Sequence, residues 1–180
     1  MKAKKYKFGL IGRNISYSFS REYFAQKFED LKLPYHSYEN FDLKTIDEFD
    51  GLLEANSDVR GLNVTIPYKQ EIIPYLNKID NTALQIGAVN TVKIKKNNLI
   101  GYNTDAVGFE KSLKPHLKTI HNSALILGTG GASKAIAYVL KKMQIGFTFV
   151  SRNPQDGQLS YSDLNENVLA ENHLIINSTP

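Results

Sequence analysis

The stretch ALILGTGGASKAIAYVL, residues 124–140, decides how the second half of the chain folds. An apolar run, a cluster of glycines and an alanine-rich run follow one another, which predicts a strand, a tight turn and a helix. Gly128 allows the sharp turn, and the missing side chain at Gly130 lets a pyrophosphate approach the N–H groups of the helix start. The stretch therefore predicts a dinucleotide site, with a purely structural turn as the alternative.

The residues after the next predicted strand indicate which nucleotide binds. Ser133 stands where the glycine fingerprint has its third glycine, so the match is imperfect. An NAD site usually offers an acidic residue at the end of the second strand, whereas this chain has Ser151 and Arg152 there. An arginine suits the 2′-phosphate of NADP by charge and paired hydrogen bonds. NADP is therefore expected, although Asp156 in the following loop weakens the preference and Arg152 can also be read as a surface residue.

Toward the N-terminus, strand and helix patterns alternate. The predicted strands are residues 5–12, 35–41 and 59–66, followed by a short helix at 68–76. Two further β runs flank Lys96-Asn97-Asn98, which predicts an antiparallel hairpin. The fold class is α/β: an N-terminal mixed, mainly parallel sheet forms a substrate domain over residues 1–104. A linking helix and the first half of a Rossmann-type dinucleotide-binding domain follow over residues 105–180.

Composition excludes several classes of function. The 180 residues are 42% hydrophobic and 22% charged, contain no cysteine, and carry a formal net charge of +4. The lysines are scattered rather than clustered, so nucleic acid is not expected as a partner. No apolar run approaches the ~20 residues of a membrane span, so a membrane is not expected either. A small-molecule substrate is expected instead. The absence of cysteine is compatible with a cytoplasmic protein. The four histidines lack ligand spacing, so no metal is expected.

The strand GLNVTIPYKQ, residues 61–70, ends in polar side chains. A nicotinamide enzyme that oxidises an alcohol needs an acid/base group near the reacting oxygen. Lys69 is a candidate for this group, and Asp105, just before a predicted helix, is a candidate carboxylate to accompany it. The sequence alone leaves open which of the two carries the proton.

Five separated blocks resemble the shikimate dehydrogenase family. They are GRNISYSFS, GLNVTIPYK, GAVNTV, GYNTDAVGF and GTGGASKA, in the family's order and approximate spacing. The resemblance implies an NADP-dependent oxidoreductase that interconverts 3-dehydroshikimate and shikimate in chorismate and aromatic amino acid biosynthesis.

The resemblance also implies a role for individual residues. Ser18 and Ser20 would bind the substrate carboxylate, Thr65, Asn90 and Asp105 its ring hydroxyls, and Lys69 would transfer the proton. The implied cofactor-binding residues are Gly128, Thr129, Gly130, Gly131, Ala132, Ser133, Ser151, Arg152 and Thr179. Helix starts such as the one predicted at Ser20, a candidate N-cap, favour anions, which supports the first of these roles.

The chain departs from the family in two respects. Phe19 and Arg21 replace a basic residue and a proline that often accompany the paired serines. Only three strands are predicted from residue 124 onward, whereas a dinucleotide domain of this kind has about six. The resemblance therefore implies an enzyme that lacks its C-terminal part and is poorly active, with an uncovered strand edge that favours self-association such as a homodimer.

Three alternatives remain at this point. A quinate or mixed quinate/shikimate dehydrogenase would use the same chemistry on a substrate with one more hydroxyl. A non-catalytic module would bind shikimate without turnover. A folate-linked NADP dehydrogenase shares the two-domain plan but does not explain the paired serines.

Overall fold

The computed structural model describes residues 5–96 and 98–179, so Asn97 of the predicted hairpin turn lies outside the described residues. The strands are β1 (Tyr6–Gly12), β2 (His36–Asp42), β3 (Val59–Val64), β4 (Lys78–Ile79), β5 (Thr91–Lys95), β6 (Asn98–Tyr102), β7 (Ser123–Leu127), β8 (Gly146–Ser151), β9 (Leu159–Ser160) and β10 (Leu174–Asn177). The α-helices are α1 (Ser20–Asp30), α2 (Phe49–Ala55), α3 (Asn81–Ile86), α4 (Asp105–Leu113), α5 (Gly131–Lys142) and α6 (Glu166–Glu171). Short 3-10 helices lie at Ile46–Glu48, Ile73–Tyr75, Lys114–His116 and Tyr161–Asp163.

The chain forms two compact units. The first runs through Leu84 and also includes Val89–Tyr102, and the second consists of Gln85–Ala88 and the residues from Asn103 onward. The first unit contains a six-stranded sheet in the order β2-β1-β3-β5-β6-β4. β1 pairs in parallel with β2 and β3, while β5 pairs antiparallel with both β3 and β6. The predicted mixed sheet with an antiparallel hairpin is therefore present.

Both faces of the first sheet are covered near β1. Successive strand residues point to opposite faces, so Leu10 packs with Tyr38 and the aromatic side chains of α1, whereas Ile11 joins the larger core on the other face. That larger core includes the buried side chains of Phe49 and Leu62. The carboxyl ends of β1 and β3 are consequently held by packing on two sides.

The second unit contains a parallel four-stranded sheet in the order β10-β7-β8-β9. α5 lies between β7 and β8 in sequence and buries Ile136 and Leu140 against this sheet. This is the strand–turn–helix unit predicted from residues 124–140. The sequence predicted three strands here and missed β9, because two residues are too short to show a strand periodicity.

The segment after β3 also differs from the prediction. Residues 68–76 were expected to form a short helix, but they form successive turns that end in the 3-10 helix Ile73–Tyr75. The carbonyl of Lys69 accepts a hydrogen bond from the Val89 N–H at 2.7 Å, and Pro74 has no N–H to donate. These two features interrupt the helical ladder.

Candidate functional site

The end of β3 is fixed to the end of β1 by the main chain. The Thr65 N–H donates to the Ile11 carbonyl at 2.9 Å, and the Arg13 N–H donates to the Ile66 carbonyl at 3.1 Å. A Cβ added to Gly12 would come within 2.5 Å of the Thr65 Cγ2 atom. Thr65 therefore lies directly against the β1 end, and only glycine at position 12 leaves room for it.

The turn that carries Lys69 is anchored by its neighbour Tyr68. The Tyr68 side chain is 1% exposed, and its hydroxyl donates to the Leu43 carbonyl at 2.7 Å. Burial raises the pKa of Tyr68, so the phenol stays protonated at neutral pH. Because Tyr68 is locked by packing and this hydrogen bond, the backbone of the partly buried Lys69 is placed by a rigid element.

The start of β5 is bound to the same region. The Val64 N–H donates to the Asn90 carbonyl at 2.8 Å, and the Asn90 N–H donates to the Tyr102 carbonyl at 3.0 Å. The Asn90 side chain is buried, and its Oδ1 accepts from the Thr91 hydroxyl at 3.1 Å. Thr65, Lys69 and Asn90, which the sequence predicted as substrate residues, are therefore connected through the main chain of one unit.

The loop from β1 to α1 positions the two predicted serines. Asp42 accepts hydrogen bonds from the N–H groups of Asn14 and Ile15, which holds the loop against the end of β2. Ser20 was expected to be the N-cap of α1, but it is the first helical residue. The Ser18 Oγ atom accepts instead from the Ser20 N–H at 3.3 Å. The structure therefore places both serines at the start of α1, where Phe19 is the N-cap and makes no side-chain capping hydrogen bond.

Asp105 belongs to the second unit, where it is the first residue of α4. The preceding Asn103 is 5% exposed, donates from its amide to the Ala88 carbonyl at 2.9 Å, and accepts from the Ala106 N–H at 3.2 Å. Sequence reasoning missed this residue. An asparagine shortly before a helix is a recognisable capping signal, and it could have identified Asn103 as the group that fixes the α4 start.

The glycine turn has the backbone that the sequence predicted. Gly128 has a φ of +110°, a conformation that other residues rarely adopt, and its N–H donates to the Val150 carbonyl at 2.8 Å. Gly130 precedes α5 with a φ of −76°, and a Cβ added there would meet no atom within 4 Å. The space above Gly130 is therefore open, as it is at helix starts that accept a phosphate group.

Ser133 has a different environment from the glycines before it. Its side chain is fully buried, and its hydroxyl lies 2.8 Å from that of Ser178, which also contacts the Leu127 carbonyl at 2.8 Å. The Ser133 hydroxyl is therefore engaged within the second unit. Thr179 follows this contact, with its N–H and hydroxyl both donating to the Asn177 side chain.

The residues predicted to bind the adenosine part of the cofactor lie at the end of β8. Ser151 is the last residue of β8, and its hydroxyl accepts from the Asn153 N–H at 3.2 Å. Arg152 is exposed on the following loop. A cationic side chain at this position can reach solvent-facing anions such as a ribose phosphate.

Among residues 5–96 and 98–179, no group of three or more His, Asp or Glu side chains is placed to hold a metal ion. Over the same residues, none of the helices combines the length and apolar character needed to cross a membrane.

Comparison with known proteins identifies the family. Residues 10–92 match the model of the shikimate dehydrogenase substrate binding domain. A curated shikimate dehydrogenase (NADP(+)) from Clostridium botulinum is 44% identical in an alignment that covers 97% of this chain and 71% of the relative. The chain belongs to the shikimate dehydrogenase family.

Solved structures agree with this assignment. Shikimate 5-dehydrogenase from Thermus thermophilus, solved in complex with NADP(H) and shikimate, is 31% identical with a TM-score of 0.82, covering 96% of this chain and 68% of that one. Quinate dehydrogenase from Corynebacterium glutamicum, solved in complex with NAD, is 26% identical with a TM-score of 0.81, covering 98% of this chain and 71% of that one. These two structures share the fold, but one is a shikimate dehydrogenase solved with NADP(H) and the other is a quinate dehydrogenase solved with NAD.

Proposed function

We propose that this chain catalyses the reversible, NADP-dependent reduction of 3-dehydroshikimate to shikimate. The observation that carries the proposal is its 44% identity, over 97% of its length, to a shikimate dehydrogenase (NADP(+)). The geometry of the first unit supports it, because Thr65, Lys69 and Asn90 are held together by main-chain hydrogen bonds. We assign substrate binding to residues 1–104 and cofactor binding to residues 105–180.

The substrate groups have matching partners in the first unit. The hydroxyls of Ser18 and Ser20 stand at the start of the 11-residue helix α1, where hydroxyl donors and the helix dipole favour the shikimate carboxylate. We assign the ring hydroxyls to Thr65, Asn90 and Asp105. The Asn90 amide oxygen accepts from Thr91, and we assign the contact with a substrate oxygen to the Asn90 N–H groups.

We assign proton transfer to Lys69 and Asp105. Oxidation of shikimate removes a hydride from the carbon that bears the hydroxyl and a proton from its oxygen. Lys69 takes that proton while the carbon–oxygen double bond forms, and returns it in the reverse reaction. The rigid placement of the Lys69 backbone by Tyr68 limits the freedom of the amine, which favours a productive geometry.

The second unit fits the phosphate groups of a dinucleotide. NADP⁺, when bound, accepts the hydride. The open space at Gly130 and the N–H groups at the start of α5 are assigned to the pyrophosphate, and Ser151 with Arg152 to the 2′-phosphate. Thr129, Gly131, Ala132 and Thr179 complete the proposed cofactor contacts.

We also propose a cytoplasmic location and a homodimer.

A second candidate is quinate oxidation. It is favoured by the similarity to the quinate dehydrogenase structure from Corynebacterium glutamicum, solved with NAD. Quinate carries an additional hydroxyl near its carboxylate, so the surroundings of Ser18 and Ser20 would decide the preference. Parallel kinetics with shikimate and quinate, each with NADP⁺ and NAD⁺, separate the two activities.

The test is a steady-state assay with shikimate and NADP⁺ that follows the absorbance of the reduced nicotinamide. We expect low but measurable turnover by the chain and a loss of at least about a hundredfold in Lys69→Ala, because a general acid/base contributes roughly 10²–10⁴-fold. Lys78→Ala removes an exposed lysine of β4 and is the matched control, with unchanged turnover.

Two results would contradict the proposal in different ways. Shikimate binding without turnover, measured by calorimetry, would indicate a non-catalytic binding module. Turnover that Lys69→Ala leaves unchanged would keep the activity and remove the assigned role of Lys69.

A further inference from the structure

Four polar side chains of the first unit form a chain of three hydrogen bonds. The Tyr38 hydroxyl of β2 donates to the Asn63 Oδ1 of β3 at 2.8 Å, and the Asn63 Nδ2 donates to the Thr91 Oγ1 of β5 at 3.4 Å. The Thr91 hydroxyl then donates to the Asn90 Oδ1 at 3.1 Å. The chain therefore ends on a residue that we assign to substrate binding.

The first link spans an intervening strand. β1 lies between β2 and β3 in the sheet, and its registers place Tyr38 opposite Gly61 and Asn63 opposite Asn40. The link therefore crosses two strand spacings, about 9.6 Å, and also runs two residues along the strands. A short polar side chain at position 38 could not reach Asn63, whereas a tyrosine can. The length of the side chain and the position of its hydroxyl are thus both required for the contact.

The direction of each hydrogen bond fixes the orientation of the next group. A phenol that donates to Asn63 Oδ1 turns the amide nitrogen of Asn63 toward Thr91. Thr91, which accepts from that nitrogen, directs its own hydrogen to the Asn90 oxygen. Burial raises the pKa of Tyr38 and opposes the smaller lowering by a side-chain hydrogen bond from Ser20, so the phenol remains a donor at neutral pH.

The ring of Tyr38 does not need its hydroxyl in order to pack. The side chain is 7% exposed, and its ring stacks on that of Phe24 with a centroid distance of 4.4 Å and an interplanar angle of 10°. A phenylalanine would keep these contacts. The hydroxyl can therefore be removed with limited effect on the packing of α1 against the sheet.

We propose that Tyr38 is a positioning residue for the substrate site, which fixes the amide of Asn90 through Asn63 and Thr91. The inference rests on the proposed function, since it concerns the same shikimate site. Tyr38 itself touches neither substrate nor cofactor. It acts by ensuring that Asn90 presents N–H groups rather than its oxygen.

The test compares shikimate dissociation constants measured by calorimetry. Tyr38→Phe is expected to raise the dissociation constant about tenfold, the effect of one misoriented hydrogen bond. Tyr75→Phe is the matched control: it removes a tyrosine hydroxyl from the same unit, one that donates to Asp47 at 2.9 Å outside the network. We expect Tyr75→Phe to leave the dissociation constant unchanged.

A double-mutant cycle separates positioning from a general effect on stability. Thr91→Val breaks the same chain one link further on with a side chain of similar shape, and should also weaken binding. If both variants act through Asn90, Tyr38→Phe costs little in the Thr91→Val background, whereas independent effects would add. If Tyr38→Phe does not fold, Thr91→Val decides alone by the same measurement.

The different failures can be told apart. A wild-type chain that does not bind shikimate overturns the proposed function. A wild-type chain that binds, with Tyr38→Phe and Thr91→Val both unchanged or strictly additive, overturns the positioning role and leaves the proposed function intact.

Discussion

Replacing Gly130 with alanine should separate cofactor binding from fold stability. Gly130 has φ −76° and ψ −174°, which alanine adopts freely, and an added Cβ meets no atom within 4 Å. Alanine would reduce the entropy of the unfolded chain, a gain of about 0.4–1 kcal/mol. It would also be a poorer N-cap than glycine by a similar amount. These effects offset each other, so the free energy of unfolding should change by less than about 0.5 kcal/mol.

The same methyl group would occupy the space assigned to the pyrophosphate. Loss of one hydrogen bond to a charged group costs about 1.5–3 kcal/mol, which corresponds to an increase of about tenfold to a hundredfold in the NADP⁺ dissociation constant. The assay is a calorimetric titration of NADP⁺ into the wild type and Gly130→Ala, with thermal unfolding of both. An unchanged dissociation constant in a folded Gly130→Ala variant would refute the assignment of the pyrophosphate to this turn.

Two other glycines serve as controls for this experiment. Gly51 lies inside α2 with nothing within 4 Å of an added Cβ, so Gly51→Ala should stabilise the first unit and leave NADP⁺ binding unchanged. Gly128 has a φ of +110°, so Gly128→Ala should destabilise the second unit by about 1–3 kcal/mol. Only Gly130→Ala is expected to lose binding without losing stability.

Three further predictions concern stability and the substrate site. Tyr68→Phe removes a buried hydrogen bond to a carbonyl and should lower the free energy of unfolding by about 1–3 kcal/mol in a denaturant titration; no change would contradict the anchoring role. Gly12→Ala forces a methyl group against Thr65 and should weaken shikimate binding in calorimetry as well as stability; intact binding would argue against Thr65 as a ligand. The hydrogen bond from Lys142 lowers the pKa of Glu110 in the folded protein below its value in the unfolded chain. The pair therefore stabilises the fold at a pH above the unfolded pKa, and this stabilisation is lost as the pH falls through the folded pKa. Thermal unfolding of wild type and Glu110→Gln should therefore differ at neutral pH and converge as the pH falls below the folded pKa of Glu110; a difference independent of pH would contradict it.

Much of the fold could be predicted because its signals are local. The glycine turn between β7 and α5 can be predicted from Gly128, because glycine readily adopts the positive φ that this turn requires. The hairpin of β5 and β6 follows from two β runs close together in sequence. Periodicity and turn chemistry act over a few residues, so they can be read without knowledge of the partners.

Other features depend on contacts between residues that are distant in sequence. Ser133 fits a phosphate fingerprint by position, but its hydroxyl is engaged by Ser178, 45 residues away. The expected helix after β3 is replaced by turns because the Lys69 carbonyl pairs with Val89. The link from Tyr38 to Asn63 crosses a strand. No local pattern indicates such pairings, so these parts of the site required the structure.

The transfer of hydrogen from shikimate to the nicotinamide tests the central claim most directly. The chain would be incubated with NADP⁺ and shikimate that carries deuterium on the carbon whose hydroxyl is oxidised, and the nucleotide would be analysed by mass spectrometry. We expect reduced nucleotide that carries the deuterium, and its loss in Lys69→Ala. Reduced nucleotide without deuterium, or none at all from a folded chain, would contradict the proposed reaction.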